Sequence, residues 1–369
     1  GKPYVLFLHG TGIEPRHHGG YADQIWTENA ASIQGADGIL VTTEYVRDHL
    51  VRNLVDVPMD RFLVLPCGID LNEFRPVREP LVVQKYQLPD RYVICPGALT
   101  RSKGPQNVVA ATSQYADLAD ELYRIQHRKL PEGWDRDLPT YEPDAKGLAS
   151  RESSGQVLNA VARNVPWLIG GSADLAPSTK TRLTFDGAGD FEPDNYAGRN
   201  LHFGVREHAM GAILNGMSLV KVRPFGSGFL IFSDYTRSTL RLSALMELPV
   251  IYIFTHDSIG VGEDGPTHQP VEHLASMRAI PGLLVMRPGD ANEVVESWRV
   301  IMQLHHQPVV LVLSRQALPT LDRNSCAPAS NLAKGAYVLA DAPEGKPDVL
   351  LLATGSEVAM CVQAYEQLK

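Results

Sequence analysis

The stretch HDSIGVGEDGPTHQPVEH, His256 to His273, follows directly on the apolar run Val250 to Phe254 and sets many ionisable side chains among glycines. In an open α/β sheet the loops beyond the carboxyl ends of the strands hold ligands, and glycines there let a backbone approach closely. So dense a set reads as a site rather than as a solvated polar loop. Two further groups could do chemistry. GVREHAMG puts Glu207 at the start of an apolar helix, where a carboxylate is also an ordinary first-turn residue by helix-dipole logic. Phe229, Phe232 and Tyr235 fall at i, i+3 and i+6, close to one face of a predicted helix. Taken alone, that stripe reads as core.

The elements that must position these residues alternate in type. In the first third, strand-length apolar runs at Tyr4 to Leu8, Gly38 to Val41, Phe62 to Leu65 and Tyr92 to Cys95 alternate with helical stretches near Tyr21 to Ser32 and Glu44 to Leu54. That is a parallel α/β pattern. Arg75 to Pro89 reads as a linker. A polar helix at Tyr115 to Arg128 leads into the proline-rich loop KLPEGWDRDLPTYEPDAKG. A second α/β unit then has predicted strands at Trp167 to Ile169, Val250 to Thr255, Leu283 to Met286 and Val309 to Leu313. Its predicted helices are Glu152 to Arg163, Glu207 to Leu219, Ile231 to Met246, Pro270 to Met277 and Ala291 to Gln303. Pro319 to Leu332 is linker-like, and a strand at Val349 to Ala353 with a helix at Ser356 to Leu368 begins a third unit. The chain opens almost inside a strand, which creates the expectation of something upstream.

Composition narrows the class. A chain of 369 residues, 44% hydrophobic and 21% charged, has the make-up of a globular protein with two or three domains. Its formal charge of -8 offers no basic field for a polyanion, so neither nucleic acid nor an anionic membrane is expected as a partner. A few local Arg and His residues still suffice for one phosphate. Cys67, Cys95, Cys326 and Cys361 form no CxxC pair and no zinc-spaced set, which fits a reducing cytoplasm. No apolar run approaches the length of a membrane span.

The loop from His256 resembles the transketolase signature nearly residue for residue. SRESSG at Ser150, GGSADLAPS at Gly170, HFGVREHAMG at His202 and LSRQ at Leu313 match the same family in the same order, so the resemblance covers about Ser113 to Lys369. It implies a parallel-sheet, thiamine-diphosphate-binding (pyrimidine) domain. It also implies transfer of a two-carbon ketol unit between ketose and aldose phosphates, with the cofactor as electron sink. Glu207 matches the carboxyl that hydrogen-bonds N1′ of the aminopyrimidine ring, and Phe229, Phe232 and Tyr235 match the aromatics flanking that ring. Asp174 matches a residue beside the cofactor. Arg151, Ser178, His268 and Arg315 match positions that bind the sugar phosphate. His256 matches a residue that contacts substrate hydroxyls and moves protons, and Asp264 the carboxylate that reads a sugar hydroxyl.

A complete transketolase also holds the cofactor diphosphate through Mg2+, with a GDG motif and a later Asn. Here Asp37 and Gly38 precede Asn53 too closely, and Ala36 stands where a Gly should be, so that metal-diphosphate domain is expected outside this chain and no metal ligands are assigned. Residues 1–112 resemble instead part of a retaining glycosyltransferase with two Rossmann-like domains. PCGIDLNEF at Pro66 is similar to the segment joining its lobes and GALTRSKG at Gly97 to its nucleotide-sugar turn. Lys103 matches one of the basic pair, but Ala98 stands where Arg is expected. The expected division is 1–112, a glycosyltransferase-like fragment; 113–150, a helix and loop; 151–318, the pyrimidine-binding domain; and 319–369, a linker and the start of the C-terminal domain. Sugar phosphates are the expected ligands, in a homodimer or an assembly with a diphosphate-binding chain. The alternatives are a nucleotide-sugar-dependent glycosyltransferase and a non-catalytic fusion.

Overall fold

The structure, a computed structural model, describes residues 5–8, 33–34, 36, 38–41, 56–64, 116–261, 264–342 and 345–368. The chain divides into two compact units, Gly1–Gly97 and Ala98–Lys369. In the first, β1 (Val5–Leu8), β2 (Gly38–Val41) and β3 (Phe62–Val64) form a parallel sheet in that order, in agreement with the predicted runs. The predicted helices at 21–32 and 44–54, the strand at 92–95, the linker at 75–89 and the segments 66–74 and 97–104 with Ala98 and Lys103 lie outside the described residues. So do the junction near Thr112 and residues Asp37 and Asn53.

The second unit opens with α1 (Ala116–Gln126) and the short strand β4 (Asp144–Ala149). Next come α2 (Ser150–Asn164), β5 (Leu168–Ser172), α3 (Ala176–Thr179) and β6 (Asn200–His202). They are followed by α4 (Glu207–Leu219), β7 (Arg223–Phe229) and α5 (Ser233–Leu245), then β8 (Ile251–Thr255), α6 (His273–Arg278) and β9 (Leu284–Met286). The last are α7 (Ala291–Gln303), β10 (Val309–Val312), β11 (Ala317–Thr320) and α8 (Glu357–Leu368). Six strands make one parallel sheet in the order β6-β5-β7-β8-β10-β9. β4 and β11 pair separately, antiparallel.

Strand alternation sends side chains into two cores. Ile251, Ile253, Val309 and Leu311 join Val157, Val161, Val294 and Trp298 of α2 and α7 on one face. Tyr252, Phe254, Val310 and Val312 join Met210, Leu214, Leu240 and Met277 of α4, α5 and α6 on the other. Each fully buried large side chain contributes roughly 1.5–3 kcal/mol. The helix α7 starts where predicted because Asp290 caps it: its carboxylate accepts from Glu293 N at 2.8 Å, while Glu293 Oε2 accepts from Gly289 N at 2.8 Å. The sheet's centre depends on two glycines. A Cβ at Gly226 of β7 would meet Leu214 Cδ1 at 2.4 Å, and one at Gly211 of α4 would meet Thr239 Oγ1 of α5 at 2.0 Å, so only glycine lets α4 close on both neighbours.

Three expectations are corrected. Phe229, Phe232 and Tyr235 do not share one helix: Phe229 ends β7, Phe232 ends a 3-10 turn (Leu230–Phe232) and Tyr235 lies in the first turn of α5. The predicted strand Val349 to Ala353 is irregular, with Val349, Leu350 and Leu352 exposed, because no described strand lies beside it to complete a ladder. The ends of the segments read as loop and linker, DAKGLA and ALPT, pair as β4 and β11.

Candidate active site

The strand order sets the place of the site. From β5 the chain crosses outward to β6, while from β7 it crosses the opposite way to β8, so the sheet reverses direction between β5 and β7. At such a switch point the loops beyond the carboxyl ends part and leave a crevice. Asp174 and Ser178 follow β5, Glu207 follows β6, Phe229 ends β7, His256 follows β8 and Arg315 follows β10. All of them stand at the same edge of the sheet.

Rings converge there. Phe229 lies with its ring centroid 3.8 Å from that of His256, 6.0 Å from Phe232 and 5.8 Å from His268. Phe232 in turn lies 5.4 Å from His268 and 6.2 Å from Tyr235. His256 is 3% exposed and has φ +60°, an uncommon conformation for a non-glycine residue that costs about 1–3 kcal/mol and that neighbouring structure must impose. Its Nδ1 and the Thr255 hydroxyl are 2.9 Å apart, which fixes the ring. Burial, reinforced by the positive charges of Arg151 and Arg315 against the opposing pull of Asp264, pushes the imidazole down to about 4. His256 is therefore neutral at pH 7, a hydrogen-bonding ring.

Around it stand the polar groups. Arg315 Nε is 3.8 Å from Asp264 Oδ2, and Arg151 Nη1 donates to the Ser178 carbonyl at 2.8 Å while its buried Nε has no partner among the described residues. Burial lowers the Arg151 guanidinium from its ordinary value. Ser178 thus enters the set through its backbone. Sequence reasoning passed over the pair that holds the two arginines. Ser150 N donates to Ser314 Oγ at 3.1 Å and Ser314 N to Ser150 Oγ at 2.7 Å, locking together the residues just before Arg151 and Arg315. The signal was present, since both motifs read Ser-Arg. A second missed group is the hydroxyl cluster of Thr179, Thr181 and Ser227, with Thr181 Oγ1 2.7 Å and Thr179 Oγ1 3.1 Å from Ser227 Oγ. It pins the segment after Ser178 onto β7.

Two expected residues stand apart. Asp174 is exposed, with φ +62°, and its side chain makes no hydrogen bond or ion pair among the described residues. Glu207 is 8% exposed at the first position of α4, and its carboxylate likewise has no hydrogen-bond or ion-pair partner among the described residues. A carboxyl in that state is free to accept from an outside donor. The residues present fit an aminopyrimidine: an aromatic wall for the ring and a buried, unpartnered carboxyl for a ring nitrogen.

A parallel-sheet domain with a ligand edge of aromatic, carboxylate and guanidinium groups is a cofactor-binding domain by fold and site. Residues 146–320 match the model of the transketolase pyrimidine-binding domain, and residues 335–369 that of the transketolase-like C-terminal domain. Together these cover more than half of the chain, which over those residues carries the pyrimidine-binding and C-terminal domains of transketolase. The transketolase of Geobacillus stearothermophilus is 53% identical over 274 residues, 74% of this chain and 41% of that relative. That of Halalkalibacterium halodurans is 55% identical over 256 residues, 69% of this chain and 38% of the relative. The chain spans about two fifths of the length of these relatives. Among solved structures, a Pichia stipitis transketolase in complex with xylulose 5-phosphate superposes with a TM-score of 0.67 at 42% identity, covering 73% of this chain and 40% of that one. A transketolase from Leishmania mexicana gives 0.65 at 41% identity, covering 70% and 38%.

Proposed function

We propose that this chain supplies the pyrimidine side of a thiamine diphosphate site in a transketolase that moves a two-carbon ketol unit from a ketose phosphate to an aldose phosphate. The observation that carries this is Glu207, a largely buried residue at a helix start whose carboxylate has no partner among the described residues, on the sheet edge where Phe229 and Phe232 stack. Bound there, the cofactor would serve as electron sink for cleavage beside a carbonyl. The chain's own residues do the rest. Glu207 holds or shares a proton at the pyrimidine nitrogen, and the ring of Phe232 excludes water from one face. Neutral His256 and Asp264 meet sugar hydroxyls, while Arg151, His268 and Arg315 bind the phosphate end.

The matched structures with bound sugar phosphates support that substrate class, and the orphan Nε of Arg151 is a free donor suited to it. We assign the same division of the chain as the sequence suggests, with 151–318 as the pyrimidine domain. The diphosphate and its Mg2+ fall to another domain, in this chain's partner or elsewhere in the assembly. Exposed apolar side chains on α4 and α5, among them Ile213, Leu219, Leu242 and Leu245, suit a face covered by a second subunit. The likeness of residues 1–112 to a glycosyltransferase fragment stays a resemblance read from sequence, with glycosyl transfer only an alternative, because its motifs lie outside the described residues. The test is cofactor binding: the chain mixed with a transketolase diphosphate-binding domain and Mg2+ should quench aromatic fluorescence on titration with thiamine diphosphate. Phe232→Ala should weaken this tenfold or more. An unchanged titration in that variant would refute the assignment of the wall.

A further inference from the structure

We propose that Asp234, Glu272 and His273 form a binding site for a borderline divalent cation of the zinc or cobalt(II) class, which staples the start of α5 to the start of α6. His273, the first residue of α6, has a side chain only 4% exposed, yet neither of its ring nitrogens makes a hydrogen bond. Nε2 lies 3.2 Å from Asp234 Oδ2 and Nδ1 3.9 Å from Glu272 Oε2, contacts that lack hydrogen-bond geometry. One donor atom from each of the three residues lies within 4.8 Å of the others. Neither carboxylate has another hydrogen bond or ion pair among the described residues, and their side chains are 56% and 72% exposed, so both can turn inward.

The spacing of His273 Nε2 and Asp234 suits a metal at Nε2, with the exposed Glu272 carboxylate turning in to join them. Ligands about 2.0–2.2 Å from a tetrahedral zinc stand roughly 3.3–3.6 Å from one another, close to the separation of His273 Nε2 and Asp234 Oδ2. One imidazole with two carboxylates favours zinc-class ions over magnesium or calcium, which take oxygen donors, and the absence of a thiolate from the set argues against copper(I). Solvent completes the coordination on the exposed side. The consequence reaches the candidate active site. Asp234 sits between Phe232 and Tyr235, and Arg237 of α5 already donates to Ser276 O and Oγ of α6 at 2.7 Å. A cation at the head of the two helices would hold the aromatic wall at its root.

The full chain, stripped with a chelator, is titrated with Zn2+ against a chromophoric zinc indicator, and in parallel with Co2+ followed by its visible absorption. The expected result is one equivalent bound, at least tenfold more weakly in Asp234→Asn and in Glu272→Gln, and lost in the double variant. Both positions are exposed, so the metal-free variants should keep the parent's far-ultraviolet spectrum and melting temperature. Zn2+ should raise the melting temperature of the parent alone. Failure of the parent to take up one equivalent would show His273 to be only an imidazole flanked by carboxylates, and uptake unchanged in the double variant would place the ion elsewhere. Either result overturns the proposal.

Discussion

At Glu207 a residue that local rules explain as a helix start is largely buried, with no partner for its carboxylate among the described residues. Its replacement separates the two roles. Glu207→Gln keeps the shape but cannot hold a carboxyl proton, so ketol transfer by the assembled enzyme should fall by about 100-fold or more. The melting temperature should hold or rise, because an unpaired buried carboxylate is removed. A variant that loses stability and keeps activity would return Glu207 to a structural role. His256 gives a pH test. Held neutral down to about 4, against an unfolded value near 6.5, it refuses a proton that the unfolded chain binds between those limits. Its contribution to stability is therefore complete above pH 6.5 and is lost as pH falls through about 4. His256→Asn, which tolerates the positive φ, should flatten that part of the profile in urea midpoints taken from pH 7 to pH 4.5, and equal slopes would contradict the burial argument.

The elements that place these residues were legible in proportion to how local their causes are. Glu207–Leu219 and Ala291–Gln303 are found with the predicted bounds because apolar periodicity, joined at Ala291 by the Asp290 cap, is a property of neighbouring residues. β7 was missed, although it is central and buried throughout, because RPFGSGF carries Pro224, Gly226 and Gly228, which read as breakers. The reason for Gly226 is the approach of Leu214 from α4, a contact that no window of sequence contains. β4 and β11 were missed for the same reason, since each exists only through a partner far along the chain. The aromatic spacing suggested the right residues and the wrong element. Beyond the sheet, Arg287 ties the end of β9 to the start of α8: its Nε donates to Asp257 Oδ2 at 2.8 Å, its Nη1 to the Thr354 carbonyl at 2.8 Å, and it also pairs with Glu357. Burial pushes the Asp257 carboxyl up, and the guanidinium opposes that. Arg287→Met strands a carboxylate whose side chain is 1% exposed, so a loss of about 3–5 kcal/mol is expected in denaturant unfolding, with early protease cleavage near α8. A loss below about 1 kcal/mol would show that the pair contributes little.

On the scale of the whole molecule, the proposed site is one-sided among the described residues. On the proposed reading, ring stacking and the Glu207 carboxyl would engage only the pyrimidine end of the cofactor, and a charged diphosphate left unclamped would not hold the reactive carbon in place. On the same reading, the exposed apolar side chains of α4 and α5 would meet the partner that brings that clamp. The most direct measurement is ketol transfer from xylulose 5-phosphate to ribose 5-phosphate by the purified chain with thiamine diphosphate and Mg2+, with and without an added transketolase diphosphate-binding domain. The account predicts no turnover by the chain alone, turnover on addition of the partner, and its loss in Glu207→Ala; full turnover without the partner, or turnover restored equally in Glu207→Ala, would contradict it.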